Sequence, residues 1–278
     1  MRMRQLLLIS LVLVASSAAM AQQWEVSRMP WGDPDIQGIW TSATLTTLDR
    51  PDELEDLVLT EEQVRFLEQY GEDMLKSIDD LPEGDLTAGE DVGGYNAAWL
   101  DPGTRVLRVN GEPRSSIIVE PEDGHVPYTL WGRGRFYWQG YTFIARHDNP
   151  EERPLGERCT VGFGSTGGPP MLPVLYNNNY QFVQTKDVIL ILVEMNHDVR
   201  TVRMGGKPLP KAVRPWLGDS LGHWEGDTLV VRTTGFHLQQ NLRAAIKHQF
   251  YMTEDSVVEE RFTRTSKGEL LYQFSVTD

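Results

Sequence analysis

The stretch "VILILVEMNHDVRTV", Val188–Val202, decides the fold. Its first six residues are valine, isoleucine or leucine, so both faces of an extended chain are apolar there, as in a covered strand. No glycine or proline follows, and the extended reading carries on. Glu194, Asn196, Asp198 and Arg200 then share one face, and Met195, His197, Val199 and Thr201 the other. Burying a carboxylate is costly unless it is paired or hydrogen-bonded, so the polar row must meet water, partner groups or a ligand. Three readings follow. The row is solvated, with Glu194 and Arg200 bonded to neighbouring strands; or it lines a cavity where Glu194 is a base and Asn196 and Arg200 contact substrate; or His197 faces inward beside Met195 and Val199, as a single imidazole suited to proton transfer.

The rest of the second half is strand-like as well. In "ELLYQFSVTD", Leu270, Tyr272, Phe274 and Val276 alternate with Leu271, Gln273, Ser275 and Thr277, and "EGD" and "SKGE" mark hairpin turns. "IQGIWTSATL" reads as a first strand. Between them, Val64, Leu67, Leu75 and Ile78 recur at helical spacing behind Thr60, a good N-cap, which predicts a helix near 60–78. "YTLWGRGRFYWQGYTFIARHD" is an aromatic, arginine-rich segment, and the chain from Asn149 to Tyr180 is a long irregular stretch of the kind that often carries function. The expected fold is mainly β: an antiparallel barrel, lipocalin-like, or a sandwich, with one or two peripheral helices and long loops.

Residues 1–21 read as an export signal: "MRMR", the apolar run "QLLLISLVLVA", and Ala19 and Ala21 in small-x-small spacing. Residues 22–278 then form a single β-rich domain, periplasmic or secreted. Loss of Arg2 and Arg4 takes the formal charge from −14 to −16, which argues against nucleic-acid partners. No later segment is apolar enough to span a membrane. The one cysteine, Cys159, offers no internal disulfide, so stability rests on packing.

Other segments carry candidate chemistry. In "YNNNYQ", Asn177, Asn178 and Asn179 brace a loop by Asx turns, or line a ligand pocket with Tyr176 and Tyr180 against an organic ring. In "GDSLGHWEGDTLVV", His223 and Glu225 share a strand face beside Trp224; they pair structurally, or act as base and orienter with Trp224 on the substrate. Arg158, in the long loop, pins the chain or clamps an acidic substrate. The six histidines fall in neither HxH nor HExxH spacing, so no metal and no other cofactor is expected. Ser220 lacks the GxSxG setting of a hydrolase nucleophile.

Taken together, "PDIQGIWT", "LGERC", "GPPMLP", "YNNNYQ", "EMNHDVR", "GDSLGHWEGDTLVV" and "ERFTR…LLYQFSVTD" resemble a large family of exported bacterial proteins of unknown function, over roughly residues 34–278. The resemblance maps that family's recurrent polar positions onto Glu157, Arg158, Cys159, Asn177, Asn178, Asn179, Glu194, His197, Asp198, Arg200, Asp219, Trp224, Glu225 and Asp227. It implies no particular reaction. "LWGRGRFYWQGYTF" departs from the more helical stretch of that family. A looser similarity, carried by Gly38 and Trp40, is to lipocalin-like barrels, which hold apolar ligands. The functional expectation is cofactor-free acid–base chemistry, of isomerase, lyase or cyclase type, on a small or medium organic molecule held in a cavity. The alternatives are a non-catalytic binder of an apolar small molecule and a carbohydrate-associated module. Oligomeric state is left open.

Overall fold

The computed structural model describes residues 24–79, 99–146, 148–245 and 247–278. The export signal expected at 1–21 lies outside them. No helix among the described residues is long and apolar enough to cross a membrane.

The opening stretch is a hairpin. β5 (Val188–Val193) and β6 (Val199–Met204) pair antiparallel, with Val188 opposite Arg203 and Leu192 opposite Val199. Between them the chain makes a short 3-10 turn, Met195–His197. This corrects the single extended strand expected through Val202. Asn196 and His197 adopt left-handed backbone angles, φ 59° and 57°. Asparagine takes that conformation at little cost, and it does the work usually signalled by glycine. The polar run is therefore the turn itself, and strand parity does not apply across it. Nor is β5 covered on both sides: Ile189, Ile191 and Val193 are buried, while Leu192 is exposed.

This hairpin belongs to an eight-stranded sheet. Its other strands are β1 (Gly38–Thr41), β4 (Asn179–Gln184), β7 (Asp219–Glu225), β8 (Thr228–Thr234), β11 (Val257–Arg264) and β12 (Leu270–Thr277). The order is β1-β4-β5-β6-β7-β8-β11-β12, antiparallel except where β6 meets β7. Two short pairs stand apart: β2 (Arg108–Val109) with β3 (Glu112–Pro113), and β9 (Leu242–Ala245) with β10 (His248–Tyr251).

The large sheet is curled and open, a half-barrel. Phe182 of β4 and Phe262 of β11 lie five strand steps apart, about 24 Å in a flat sheet. Their ring centroids are 5.5 Å apart, edge to face. The concave side thus closes on a core of Ile36, Phe182, Ile189, Ile191, Val193, Val202, Leu229, Val231 and Phe262. The edges β1 and β12 share no ladder, although the Arg264 guanidinium reaches the Trp40 ring at 5.2 Å.

Two helices flank the sheet. α1 (Glu61–Asp79) occupies the region read as helical, with Thr60 and Gln63 exchanging hydrogen bonds at its start. α2 (Leu130–Ala145) forms where only an aromatic, arginine-rich segment was read. Three glycines work against it. Thr129 caps it, accepting from the Gly132 amide at 3.0 Å, and contacts with β9 and β10 hold it in place. Its outer surface is unusually aromatic: Trp131, Tyr137, Trp138 and Tyr141 are all exposed.

Candidate functional site

The structure divides the residues singled out from sequence into two groups. The first gathers around the β5–β6 turn. Asn179 donates to the Glu194 carboxylate through its backbone amide at 3.2 Å and its side chain at 2.9 Å. Asn196 reaches the Cys159 carbonyl at 3.4 Å. Asp198 accepts from the Gly162 amide at 2.7 Å; burial raises its pKa, opposed by that bond and by Asn196. The turn thus clasps the long loop. Glu194, Asn196, His197 and Asn177 are exposed, and neither Glu194 nor His197 lines the two clefts described below. Arg158 is half-buried, and its Nη1 has no partner among the described residues.

The second group sits far away. β7 runs parallel to β6 with Val202 beside Ser220. Glu225 is five residues further along and His197 five residues back, which separates them by on the order of 30 Å. His223 and Glu225 do pair, at 3.2 Å, but on the exposed sheet face, where Arg261 also binds Glu225 at 2.7 Å. Arg261 first, then His223, hold the Glu225 carboxyl below its usual range. Trp224 is half-buried against the core, and its Nε1 has no partner among the described residues.

Three of the candidates are internal. Asn178 is fully buried. It accepts from the Val174 amide at 2.8 Å and donates to the carbonyls of Asp101 and Val174. Tyr180 is buried with its hydroxyl donating to the Thr166 carbonyl at 2.9 Å; burial pushes that phenol up to about 12. Arg200 points into the concave core and forks onto Glu260 at 3.0 and 2.5 Å. Burial alone would lower the Arg200 pKa, but the Glu260 carboxylate overrides it and raises it. Tyr272 donates to Glu260 at 2.8 Å and accepts from the Met171 amide at 2.8 Å. These groups tie the long loop to the sheet.

The most unusual electrostatics lie on the β9–β10 hairpin, which the sequence reading passed over. Phe250 pairs with Arg243 and His248 with Ala245. Arg243 and His248 therefore project from the same face as diagonal neighbours, about 7 Å apart. Arg243 is 2 % exposed, and none of its three guanidinium nitrogens has a hydrogen-bond partner among the described residues. The Phe236 ring lies 5.6 Å from the guanidinium carbon. Burial, and then the nearby Arg200 charge, bring its pKa down to about 9. His248 is buried, with Nδ1 3.2 Å from the Pro173 carbonyl. A carbonyl only accepts, so Nδ1 carries the proton. Nε2 is left as a bare lone pair without a donor among the described residues. Burial pushes the imidazole down to about 4, with Arg243 adding to that and the Pro173 bond opposing it. Lys247 donates to the carbonyls of Thr44 and Pro102; burial brings it down to about 8, against the pull of Asp101.

Two clefts flank this hairpin beneath α2. One, of 410 Å³, is bordered by Asp49, Tyr128, Phe136, Tyr137, Lys247 and His248. The other, of 330 Å³, is lined by Thr142, Arg146, Leu155, Val161, Phe163, Leu238, Leu242, Arg243 and Ala244, among others. Both volumes fall where small organic ligands bind. The signal for this site in the sequence is slight: "NLRAAIKHQFY" sets one arginine among alanines on a short strand. Among the described residues, no group of three or more His, Cys, Asp or Glu is arranged to hold a metal ion. Compared with family models, with curated proteins and with solved structures, the chain matches none.

Proposed function

We propose that this protein holds a small organic molecule in the 330 Å³ cleft between α2, the 151–164 loop and the β9–β10 hairpin. The observation that supports it best is the lining. Apolar walls from Leu155, Val161, Phe163, Leu238 and Leu242 meet the polar residues Gln139, Thr142, Arg146 and Gln239 in one lining. Binding sites for small molecules combine these two elements. The sheet behind the cleft is curled but open, so the ligand sits beside the half-barrel, under α2, where a lipocalin-like protein would enclose it. Export by the 1–21 segment, and membership of the exported family that the sequence resembles, belong to the same proposal.

A screen of small organic molecules by saturation-transfer NMR tests this. Ala244 is half-buried in the cleft wall, and Ala244→Trp would fill the space. Wild-type protein is expected to bind members of the library, and A244W to lose them. Binding that A244W leaves intact, or a library with no binders, defeats the reading.

A second reading, acid–base catalysis, is favoured by one observation. The Pro173 carbonyl holds His248 in the tautomer that frees Nε2. A neutral imidazole with a free lone pair beside a fixed cation is the equipment of a general base. On this reading the proton acceptor is His248, with Glu194, His197, His223 and Glu225 elsewhere on the surface.

A further inference from the structure

We propose that the outer face of α2 docks on a phospholipid surface, with its aromatic rings at the boundary of headgroups and acyl chains and Arg133 and Arg135 on the lipid phosphates. The small-molecule reading above is independent of it.

At about 3.6 residues per turn, α2 has two sides of different use. Gly132, Phe136, Gln139 and Gly140 share the inner side and are half-buried. There Phe136 stacks on Tyr128, with ring centroids 5.6 Å apart, and the Tyr128 hydroxyl accepts from the Tyr251 amide of β10 at 2.7 Å. Leu130, Trp131, Tyr137, Trp138 and Tyr141 share the opposite side. The four rings are each 57 to 64 % exposed, and Leu130 is 92 % exposed. The inner contacts fasten the helix to the β9–β10 hairpin, so the outer rings have no part in holding it. A helix with apolar residues on both sides is ordinarily covered on both, and a contiguous exposed apolar patch marks an interaction surface.

Charge and ring chemistry select the occupant. α2 contains no Asp, Glu or Lys in a chain of formal charge −14, and its two charged residues are both arginines. Arg133 and Arg135 leave the helix on opposite flanks of the aromatic side. Neither forms an ion pair among the described residues, and the Arg135 guanidinium carbon lies 4.6 Å from the Trp131 ring centroid. Charges are screened beyond about 8 Å at physiological salt, so the acids elsewhere on the chain leave the middle of this face its own sign. Tryptophan and tyrosine, apolar in body and polar at one edge, concentrate at the level of lipid headgroups. Arginines at the margin of such a face lay their stems along it and raise their guanidiniums to phosphate oxygens. Helices that lie in a bilayer surface combine these parts. Other occupants fit less well. A second copy packed face to face would bring four arginines together with no acid from either helix. A sugar polymer needs amide or carboxylate groups beside the rings to fix its hydroxyls, and Gln139, the one such side chain on α2, turns inward to the cleft.

The test mixes the full chain with vesicles of phosphatidylglycerol and phosphatidylcholine whose acyl chains carry bromine, which quenches tryptophan on contact. Wild type is expected to lose fluorescence relative to unbrominated vesicles, and Trp131→Ser/Trp138→Ser/Tyr141→Ser to lose most of that quenching. Comparing the two isolates α2 from the apolar run at residues 5–15, which both proteins carry. Arg133→Glu/Arg135→Glu should cut the quenching at limiting lipid about fivefold or more. No quenching of wild type, or equal quenching in the triple serine variant, overturns the proposal. Quenching that R133E/R135E leaves undiminished overturns the phosphate contacts and the phospholipid assignment with them. Sedimentation without lipid addresses the second copy: a wild-type dimer that the triple variant dissolves assigns the face to self-association and overturns the proposal. Adsorption to cellulose or chitin that the triple variant loses, with no quenching by vesicles, assigns the rings to a sugar polymer and also overturns it. The triple variant should melt within a few degrees of wild type, and a larger fall assigns the rings to the fold and sinks the proposal.

Discussion

Arg200 shows how much one residue's role depends on partners that sequence distance conceals. It lies just past a polar turn and reads locally as one more solvated charge. Its partner Glu260 is sixty residues away, and the two strands that carry them are separated by β7 and β8. Only the curl of the sheet brings them into one bidentate pair. Such a pair adds little net stability, but breaking it by removing one member is costly because a buried charge is stranded. Arg200→Met is therefore expected to destabilise the protein by about 3–5 kcal/mol, and Glu260→Gln by a comparable amount. The double variant Arg200→Met/Glu260→Leu should lose less than either single change. Urea denaturation of the four proteins measures this, and losses that simply add would show the two residues to be energetically independent. Arg243, on the same interior, escapes a local pattern for the converse reason: its guanidinium has no hydrogen-bond partner among the described residues, and no local pattern records an absence.

Elements were legible where periodicity and packing agree. β12 alternates in sequence, and its lower half alternates in exposure. α1 carries its apolar stripe, with Val64 in a small buried cluster with Leu59 and Val106. Two elements resisted for opposite reasons. α2 contains Gly132, Gly134 and Gly140 and displays aromatic rings outward, so neither propensity nor amphipathicity announces it; the capping bond of Thr129 and the hairpin beneath supply what the sequence of the helix lacks. The β5–β6 turn has no glycine or proline, and it hid inside what looked like strand. Its hinge is Asn196 at φ 59°. A β-branched residue pays roughly 1–2 kcal/mol for that backbone region. Asn196→Val should cost about this much in thermal or chemical denaturation, while Asn196→Gly should be near neutral. A valine variant as stable as the glycine variant would mean that the turn is not held in the left-handed form.

At the scale of the molecule, fold class followed from the run of hairpin turns, which specify neighbours in sequence. Openness and curl did not, because they depend on side chains such as Phe182 and Phe262 meeting across the concave side. The eight strands also divide into two groups of four. β4, β5 and β6 make a meander with β1 added at its outer edge, and β7, β8, β11 and β12 form the other group, all antiparallel within each. They are joined by the parallel ladder of β6 and β7, which holds only three residue pairs, Val202–Ser220 to Met204–Gly222. Two ion pairs cross that join, Arg200–Glu260 and Arg203–Asp219 at 2.8 Å.

The narrow join has a consequence in time. The hairpins β5–β6, β7–β8 and β11–β12 are built from contacts close in sequence and can form early, whereas the join, of only three residue pairs, must wait for the 205–218 crossover to close. Docking of the two halves is thus expected as the late step of refolding, and their parting as the cheapest large opening of the folded state. Native-state hydrogen exchange should show the amides of Val202–Met204 exchanging ahead of those at the centre of β8 and β11, and pulse labelling during refolding should protect them last. Uniform exchange across all eight strands would mean that the half-barrel opens as one unit. If the halves part first, the Arg200–Glu260 pair acts as a latch, and the lifetime of the closed molecule is set by how long that latch stays shut.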